Sequence, residues 1–83
     1  MKFKRIYPDE QGNLWFPQGE PTYGQDGKGE WLMRHPNAGV GSLANHDVVE
    51  HEDGSITVSP SILMKGVDGE VHGHLERGVW QDA

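Results

Sequence analysis

The sequence predicts an all-β protein, a small antiparallel sandwich or partly open barrel of about six or seven short strands. Three observations support this fold class. No window of eleven residues carries a helical repeat of apolar positions without an interrupting glycine or proline. Short runs of β-branched and aromatic residues alternate with polar ones, and turn sequences rich in the 12 glycines and 5 prolines separate them. At 83 residues, the chain is predicted to form one domain, residues 1–83.

The first half of the chain is predicted to contain two strands and a long loop. Residues 2–7 form the first strand, which ends at Pro8, and an aromatic run follows at residues 14–16. Residues 17–29 are expected to be a loop, because they hold four glycines, two prolines and no aliphatic side chain. Residues 30–35 form the next strand, which ends at Pro36 and a turn over residues 37–41.

The second half is predicted to contain two β-hairpins. The first pairs residues 47–51 with 55–59, and its Asp53-Gly54 dipeptide favours a type I′ turn. Pro60 is expected to kink the chain or mark a sheet edge, after which residues 61–65 continue as a strand. The second hairpin turns at 66–69 into residues 70–77. Strict alternation predicts that Val71, Gly73 and Leu75 share one face, and Glu70, His72, His74 and Glu76 the other.

Charge and composition exclude several classes of protein. The formal charge is -6, from 13 acidic and 7 basic side chains, which argues against a general affinity for nucleic acid. The chain has no cysteine, so disulfides are excluded and a reducing compartment fits. No apolar stretch has the length of a signal peptide core or a membrane span. We therefore expect a cytoplasmic protein, in the host cytoplasm if phage-encoded, with no membrane or nucleic-acid partner.

Two histidines on the last long strand are candidate metal ligands. The side chains of His72 and His74 project side by side from a strand, as two ligands of one divalent ion such as zinc must. A third ligand would come from His35, with His46 and His51 as alternatives. The other interpretation is a plain polar sheet face turned to water.

Aromatic residues form a second candidate site. Trp15, Tyr23 and Trp31, together with Phe16 and Trp80, are many for so small a core. Some are therefore expected to line a ligand groove or a subunit interface, and a homodimer is expected. The alternative is that these side chains are themselves the core.

Part of the chain resembles a poorly characterised group of small bacterial and bacteriophage proteins. The resemblance rests on His35-Pro36, the segment Gly54-Ser-Ile-Thr-Val-Ser-Pro-Ser-Ile62, His72-Gly73 and Gly78. Some members of the group carry an ammonia monooxygenase label, but that enzyme is a membrane-bound copper complex and this chain has no membrane segment. In the group, cysteines stand where this chain has Arg34 and Val71. The resemblance implies a phage or mobile-element origin and no established reaction.

A shorter match concerns the histidine strand. Gly66, five residues, His72, one residue and His74 resemble the opening of the cupin metal motif. The glutamate and the later histidine of that motif have no counterpart in this chain.

We expect a non-enzymatic binding or interaction module, such as a bacteriophage accessory protein that binds a host protein or a small ligand. The alternative is a small metal-dependent protein or enzyme that uses the His72 and His74 strand. No catalytic residue is predicted, because the chain has no cysteine and its serines lie in no nucleophile-elbow context.

Overall fold

The computed structural model describes every residue, Met1–Ala83, and contains strands but no helix. It therefore has no helix long and apolar enough to cross a membrane. The strands are β1 Lys4–Arg5, β2 Thr22–Gln25, β3 Trp31–His35, β4 Gly39–Ser42, β5 Asp47–Glu50, β6 Ile56–Gly66, β7 Gly69–Glu76 and β8 Val79–Asp82. Two four-stranded sheets, β1-β2-β3-β4 and β5-β6-β7-β8, form a sandwich-like arrangement that does not close into a barrel.

The all-β prediction is confirmed, but the strand count and one pairing differ from it. The structure has eight strands rather than six or seven, and β1 runs parallel to β2 whereas all other strand pairs are antiparallel. The additional strands are short and lie in segments that the sequence assigns to a loop and a turn. They form because tertiary packing, rather than local residue preference, decides their conformation.

Strand β2 lies inside the predicted loop of residues 17–29. Its Gly24 is covered closely, since a Cβ there would lie 2.6 Å from the Ile6 carbonyl oxygen and 2.9 Å from Leu14 Cδ2. A glycine that permits such an approach is a feature of strands as well as of loops. Strand β4 likewise occupies most of the predicted 37–41 turn, because the turn closes earlier, where the Ala38 N–H donates to the His35 carbonyl at 3.1 Å. The aromatic run at residues 14–16 forms no strand.

The kink predicted at Pro60 takes the form of a bulge in β6. The register shifts between Val58, which lies opposite Leu75, and Ile62, which lies opposite Gly73. The three residues 59–61 thus face a single residue of β7. A bulge suits this position because proline has no N–H to donate to the neighbouring strand.

The predicted type I′ turn at Asp53-Gly54 is wrong. Only Gly54 has a positive φ, and its N–H donates to the His51 carbonyl at 2.9 Å, which makes a longer turn with glycine in the left-handed position. Asp53 instead accepts hydrogen bonds from Ser55, through its side chain. The type I′ geometry occurs in the β7–β8 turn, where Arg77 and Gly78 have φ values of 45° and 78°.

The first residues of the chain join the two sheets. Lys2 forms an antiparallel bridge with Val79, and the Phe3 N–H donates to the Gly78 carbonyl at 2.7 Å. We call Met1–Phe3 the N-terminal segment. It extends the second sheet beyond β8, and the chain then enters the first sheet as β1.

The core lies between the sheets, and one cluster holds all buried apolar side chains. The alternation predicted for β7 is confirmed, since Gly73 and Leu75 are buried and the charged and histidine side chains are exposed. The indole ring of Trp80 packs against Gly73, where a Cβ would come within 2.6 Å of the ring. The cluster comprises Phe3, Tyr23, Met33, Ala38, Leu43, Ile56, Val58, Ile62, Met64, Leu75 and Trp80.

Candidate functional site

The structure brings together two of the three predicted metal ligands. His72 and His74 are exposed on the outer face of β7, and His72 Nε2 lies 2.9 Å from the Ser61 hydroxyl oxygen. His35 lies on the inner face of β3, its ring centroid 4.8 Å from that of Trp80. Because Trp80 packs on the inner side of β7, the second sheet separates His35 from the exposed pair. No three histidine or carboxylate side chains gather in a way that could hold a metal ion.

His35 has the environment of a core residue. It is 1% exposed, and its Nδ1 accepts a hydrogen bond from the Asn37 N–H at 3.1 Å. Burial lowers the pKa of His35, and the negative charge of Asp82 acts in the opposite direction. His35 is therefore held in its neutral form.

The two histidines proposed as alternative third ligands make hydrogen bonds with other residues. His46 Nε2 lies 3.2 Å from the Ser61 carbonyl oxygen, and His51 Nε2 lies 2.7 Å from the Thr57 hydroxyl. A metal site at His72 and His74 stays a prediction.

The three aromatic candidates have three different environments. Trp15 is 72% exposed, and its indole N–H donates to the Asp9 carboxylate at 2.8 Å. Tyr23 is a core residue whose hydroxyl donates to the Gly54 carbonyl at 3.0 Å. Trp31 is half-buried at the edge of the core. Core and surface roles thus both occur among them, and they do not form one surface.

Arg5 is held at the centre of a contact between the two sheets. Its guanidinium lies 5.0 Å from the ring centroids of both Tyr7 and Trp31. Its Nη1 donates to a Glu50 carboxylate oxygen at 2.5 Å and to the Gly54 carbonyl at 3.1 Å. Since β1 belongs to the first sheet and Glu50 to the second, these bonds tie the sheets together, and the charge of Arg5 is neutralised.

A cleft of about 560 Å³ opens beside this contact, where the N-terminal segment crosses between the sheets. We call it the basic cleft, after its charged lining residues Lys2, Lys4, Arg5, Arg77 and Asp53. The ion pairs of the chain are Arg5–Glu50 and Lys65–Glu70, so Lys2, Lys4 and Arg77 have no acidic partner. Three of the seven basic side chains therefore line one cleft without an ion-pair partner, in a chain whose net charge is -6.

Arg77 reaches this cleft from an unfavourable backbone conformation. Its φ of 45° lies in the left-handed region, which costs an ordinary L-residue roughly 1–2 kcal/mol. Its N–H donates to the Thr57 hydroxyl at 3.1 Å, which helps to hold this geometry. Asparagine or glycine would fit the turn better. A strained residue of this kind, placed at a cleft, is a candidate functional residue.

Asp53 contributes the one negative charge of the cleft. Hydrogen bonds from the Ser55 hydroxyl at 2.6 Å and the Ser55 N–H at 3.0 Å hold the pKa of Asp53 below its usual range. The charges of His51 and Arg77 act in the same direction. Asp53 is thus ionised, and the unpaired cations still leave the cleft positive.

Sequence reasoning found part of this site. The basic start of the chain is visible in Lys2, Lys4 and Arg5, but those residues alone indicate no ligand. Arg77 gives one local signal, an Arg-Gly dipeptide between two strands. The contact between the first and last strands is set by pairing across the whole chain, which no local pattern records.

The basic cleft has the chemistry of an anion-binding site. Guanidinium and ammonium groups donate charge-assisted hydrogen bonds to phosphate and carboxylate oxygens. Its two side-chain hydroxyls donate within the protein, Ser55 to the Asp53 carboxylate and Tyr23 to the Gly54 carbonyl. Comparison of the chain with protein-family models, with curated proteins and with solved structures finds no match.

Proposed function

We propose that this protein is a non-enzymatic binding module, and that its basic cleft holds the phosphate or carboxylate group of a small ligand. The observation that carries the proposal is the convergence of Lys2, Lys4 and Arg77, each without an acidic partner, on one cleft. Unpaired cations on a small surface repel one another, so a bound anion would stabilise their arrangement.

The charge of the whole molecule favours this cleft over other surfaces. A chain with net charge -6 repels anions in general, so an anionic ligand binds best where positive charge is concentrated. Three cations are few for a nucleic acid, which requires an extended basic surface. They are enough for one phosphate or carboxylate group.

Binding rather than catalysis is supported by the lining of the basic cleft. It contains no histidine, and its one carboxylate, Asp53, has a pKa held below the usual range by the Ser55 hydrogen bonds. A general base works best when its pKa lies near the working pH, and a carboxylate with a lowered pKa is a weak base. The cleft is therefore suited to holding an anion and not to activating one.

Arg77→Asn is the sharpest test of this function. Asparagine tolerates a positive φ, so the variant should melt at or above the parent temperature while losing the cation. Because a hydrogen bond to a charged group contributes about 1.5–3 kcal/mol, affinity for an anion should fall roughly tenfold or more. Inorganic phosphate and citrate are suitable ligands for this test. Their binding is measured from changes in amide chemical shifts during NMR titrations at low ionic strength.

Lys65→Gln is the matched control, because Lys65 is exposed on the β6–β7 hairpin and makes only a 3.8 Å ion pair. It removes one positive charge and should leave affinity unchanged. Shifts in the parent should centre on residues 2–5 and 77–79 and should weaken as salt is added. Equal affinity in the parent and Arg77→Asn, or shifts that centre elsewhere, would contradict the proposal.

A further inference from the structure

Asp53 carries the wrong charge for a cleft that attracts anions. Three unpaired cations attract a phosphate or carboxylate group, and the Asp53 carboxylate, which lines the same cleft, repels it. No cation neutralises Asp53, because the ion pairs of the chain are Arg5–Glu50 and Lys65–Glu70. A charge that weakens the binding of a plain anion selects for anions that make a compensating contact with it.

Only one oxygen of the Asp53 carboxylate is used by the fold. Oδ1 accepts two hydrogen bonds from Ser55, from the hydroxyl at 2.6 Å and from the N–H at 3.0 Å. Oδ2 accepts no hydrogen bond from the protein, and the Asp53 side chain is exposed. An ionised carboxylate is only an acceptor. The group that complements Oδ2 is therefore a hydrogen-bond donor.

The turns that carry Asp53 and Arg77 lie side by side. The Gly78 N–H donates to the Ile56 carbonyl at 2.9 Å, which joins the β7–β8 turn to the start of β6. A Cβ at Gly78 would lie 3.6 Å from Ser55 Cβ, so the two turns are in contact. Asp53 and Arg77 nevertheless form no ion pair with each other. Both charges are available to one ligand that lies in the cleft.

We propose that the ligand of the basic cleft is a small phosphate or carboxylate that also carries a neutral hydroxyl group, as a polyol phosphate does. The anionic group binds Lys2, Lys4 and Arg77, and the hydroxyl donates a hydrogen bond to Asp53 Oδ2. This inference rests on the proposed function and narrows the class of its ligand. A hydroxyl fits better than an ammonium group, because three cations against one carboxylate repel a positively charged donor.

The test compares three phosphates with the same number of carbon atoms, namely propyl phosphate, glycerol phosphate and aminopropyl phosphate. Glycerol phosphate should bind the parent roughly threefold to tenfold more tightly than propyl phosphate, since it adds a hydrogen bond to a charged group where water competes. Aminopropyl phosphate should bind no more tightly than glycerol phosphate. Changes in amide chemical shifts during NMR titrations at low ionic strength give the three affinities.

Asp53→Asn tests the contact itself. Asparagine keeps the shape of the side chain and an oxygen for the Ser55 hydrogen bonds, but it removes the charge. The variant should bind propyl phosphate more tightly than the parent does, and it should lose most of the preference for glycerol phosphate. Glu52→Gln is the matched control, because Glu52 is exposed, forms no ion pair and does not line the basic cleft. It removes the same charge one residue away and should keep the preference.

The outcomes separate this inference from the proposed function. Equal affinities of the parent for propyl and glycerol phosphate, both weakened in Arg77→Asn, would overturn the inference alone. Tighter binding of aminopropyl phosphate than of glycerol phosphate would overturn it in favour of an ammonium group. A preference for glycerol phosphate that survives in Asp53→Asn would place the hydroxyl contact elsewhere and also overturn it. If none of the three phosphates binds, or if Arg77→Asn binds them as the parent does, the inference and the proposed function fail together.

Discussion

Arg5 and Arg77 line the same cleft, and their surroundings give them different roles. Arg5 contacts the faces of two aromatic rings and is paired with Glu50, so its charge holds the sheets together. Arg77 is exposed and unpaired, so its charge is available to a ligand. Both side chains are visible in the sequence as ordinary basic residues. Only the tertiary contacts of each separate a structural cation from a binding one.

His35 should make stability depend on pH. Its pKa is lower in the folded chain than its unfolded value of 6.5, so the unfolded chain binds more protons below that pH. The contribution of neutral His35 to the free energy of unfolding is therefore fully present above pH 6.5 and decreases as the pH falls below that value. For one proton the slope is at most about 1.4 kcal/mol per pH unit. Urea unfolding at a series of pH values from 5 to 8 measures it.

His35→Leu removes this titrating group and keeps a similar side-chain volume. The variant should be less dependent on pH between 5 and 6.5 than the parent. The comparison concerns slopes, so it holds even if the variant is less stable throughout. An unchanged slope would mean that other groups cause the pH dependence.

At the scale of elements, local strands were predictable and distant pairings were not. The strand boundaries of β6 and β7 follow from alternation and from turn residues, which are local signals. The same holds for the kink at Pro60. By contrast, β2 depends on Ile6 and Leu14 packing over Gly24, and β1 finds a parallel partner about 18 residues away. Such contacts leave no periodic pattern in the sequence.

Phe3→Ala should cost about 3–5 kcal/mol, because Phe3 is 2% exposed and packs where the N-terminal segment joins the two sheets. This is a large part of the stability of a chain of this size. Chemical unfolding at low temperature measures the loss. Phe3→Leu is the second variant to measure if the alanine variant does not fold. It keeps most of the side-chain volume and should lower the free energy of unfolding by less than about 1.5 kcal/mol.

Trp15→Ala is the matched aromatic control, since this side chain is mostly exposed and makes one surface hydrogen bond. Its effect should be below about 1 kcal/mol. Similar losses in Phe3→Ala and Trp15→Ala would contradict the joining role of the N-terminal segment.

At the scale of the whole molecule, charge is distributed unevenly. Acidic residues outnumber basic ones, and three of the five basic side chains without an ion pair line the basic cleft. The two ion pairs are few, and the Lys65–Glu70 pair is exposed, so attraction between surface charges contributes little to stability. Net repulsion among the acidic groups is the larger effect of charge on the folded state.

Added salt should therefore stabilise the protein. Raising sodium chloride from low to moderate concentration screens the repulsion and should raise Tm by a few degrees, or about 0.5–1 kcal/mol for a chain of this size. Scanning calorimetry at constant pH measures the shift. Glu52→Gln, which removes an exposed acidic group, should melt higher than the parent in low salt and respond less to salt. A fall in Tm with added salt would show that ion pairs dominate instead.

The N-terminal segment also constrains the order in which the fold assembles. The Met1 ammonium donates to the Trp80 carbonyl, 79 positions later in the chain. During synthesis these residues leave the ribosome well before their backbone partners in β8. The β5–β8 hairpins can pair as neighbours, whereas the contacts of the N-terminal segment with β8 form only after Trp80 has been synthesised. Until then the apolar side chain of Phe3 lacks the β8 residues against which it packs in the folded protein.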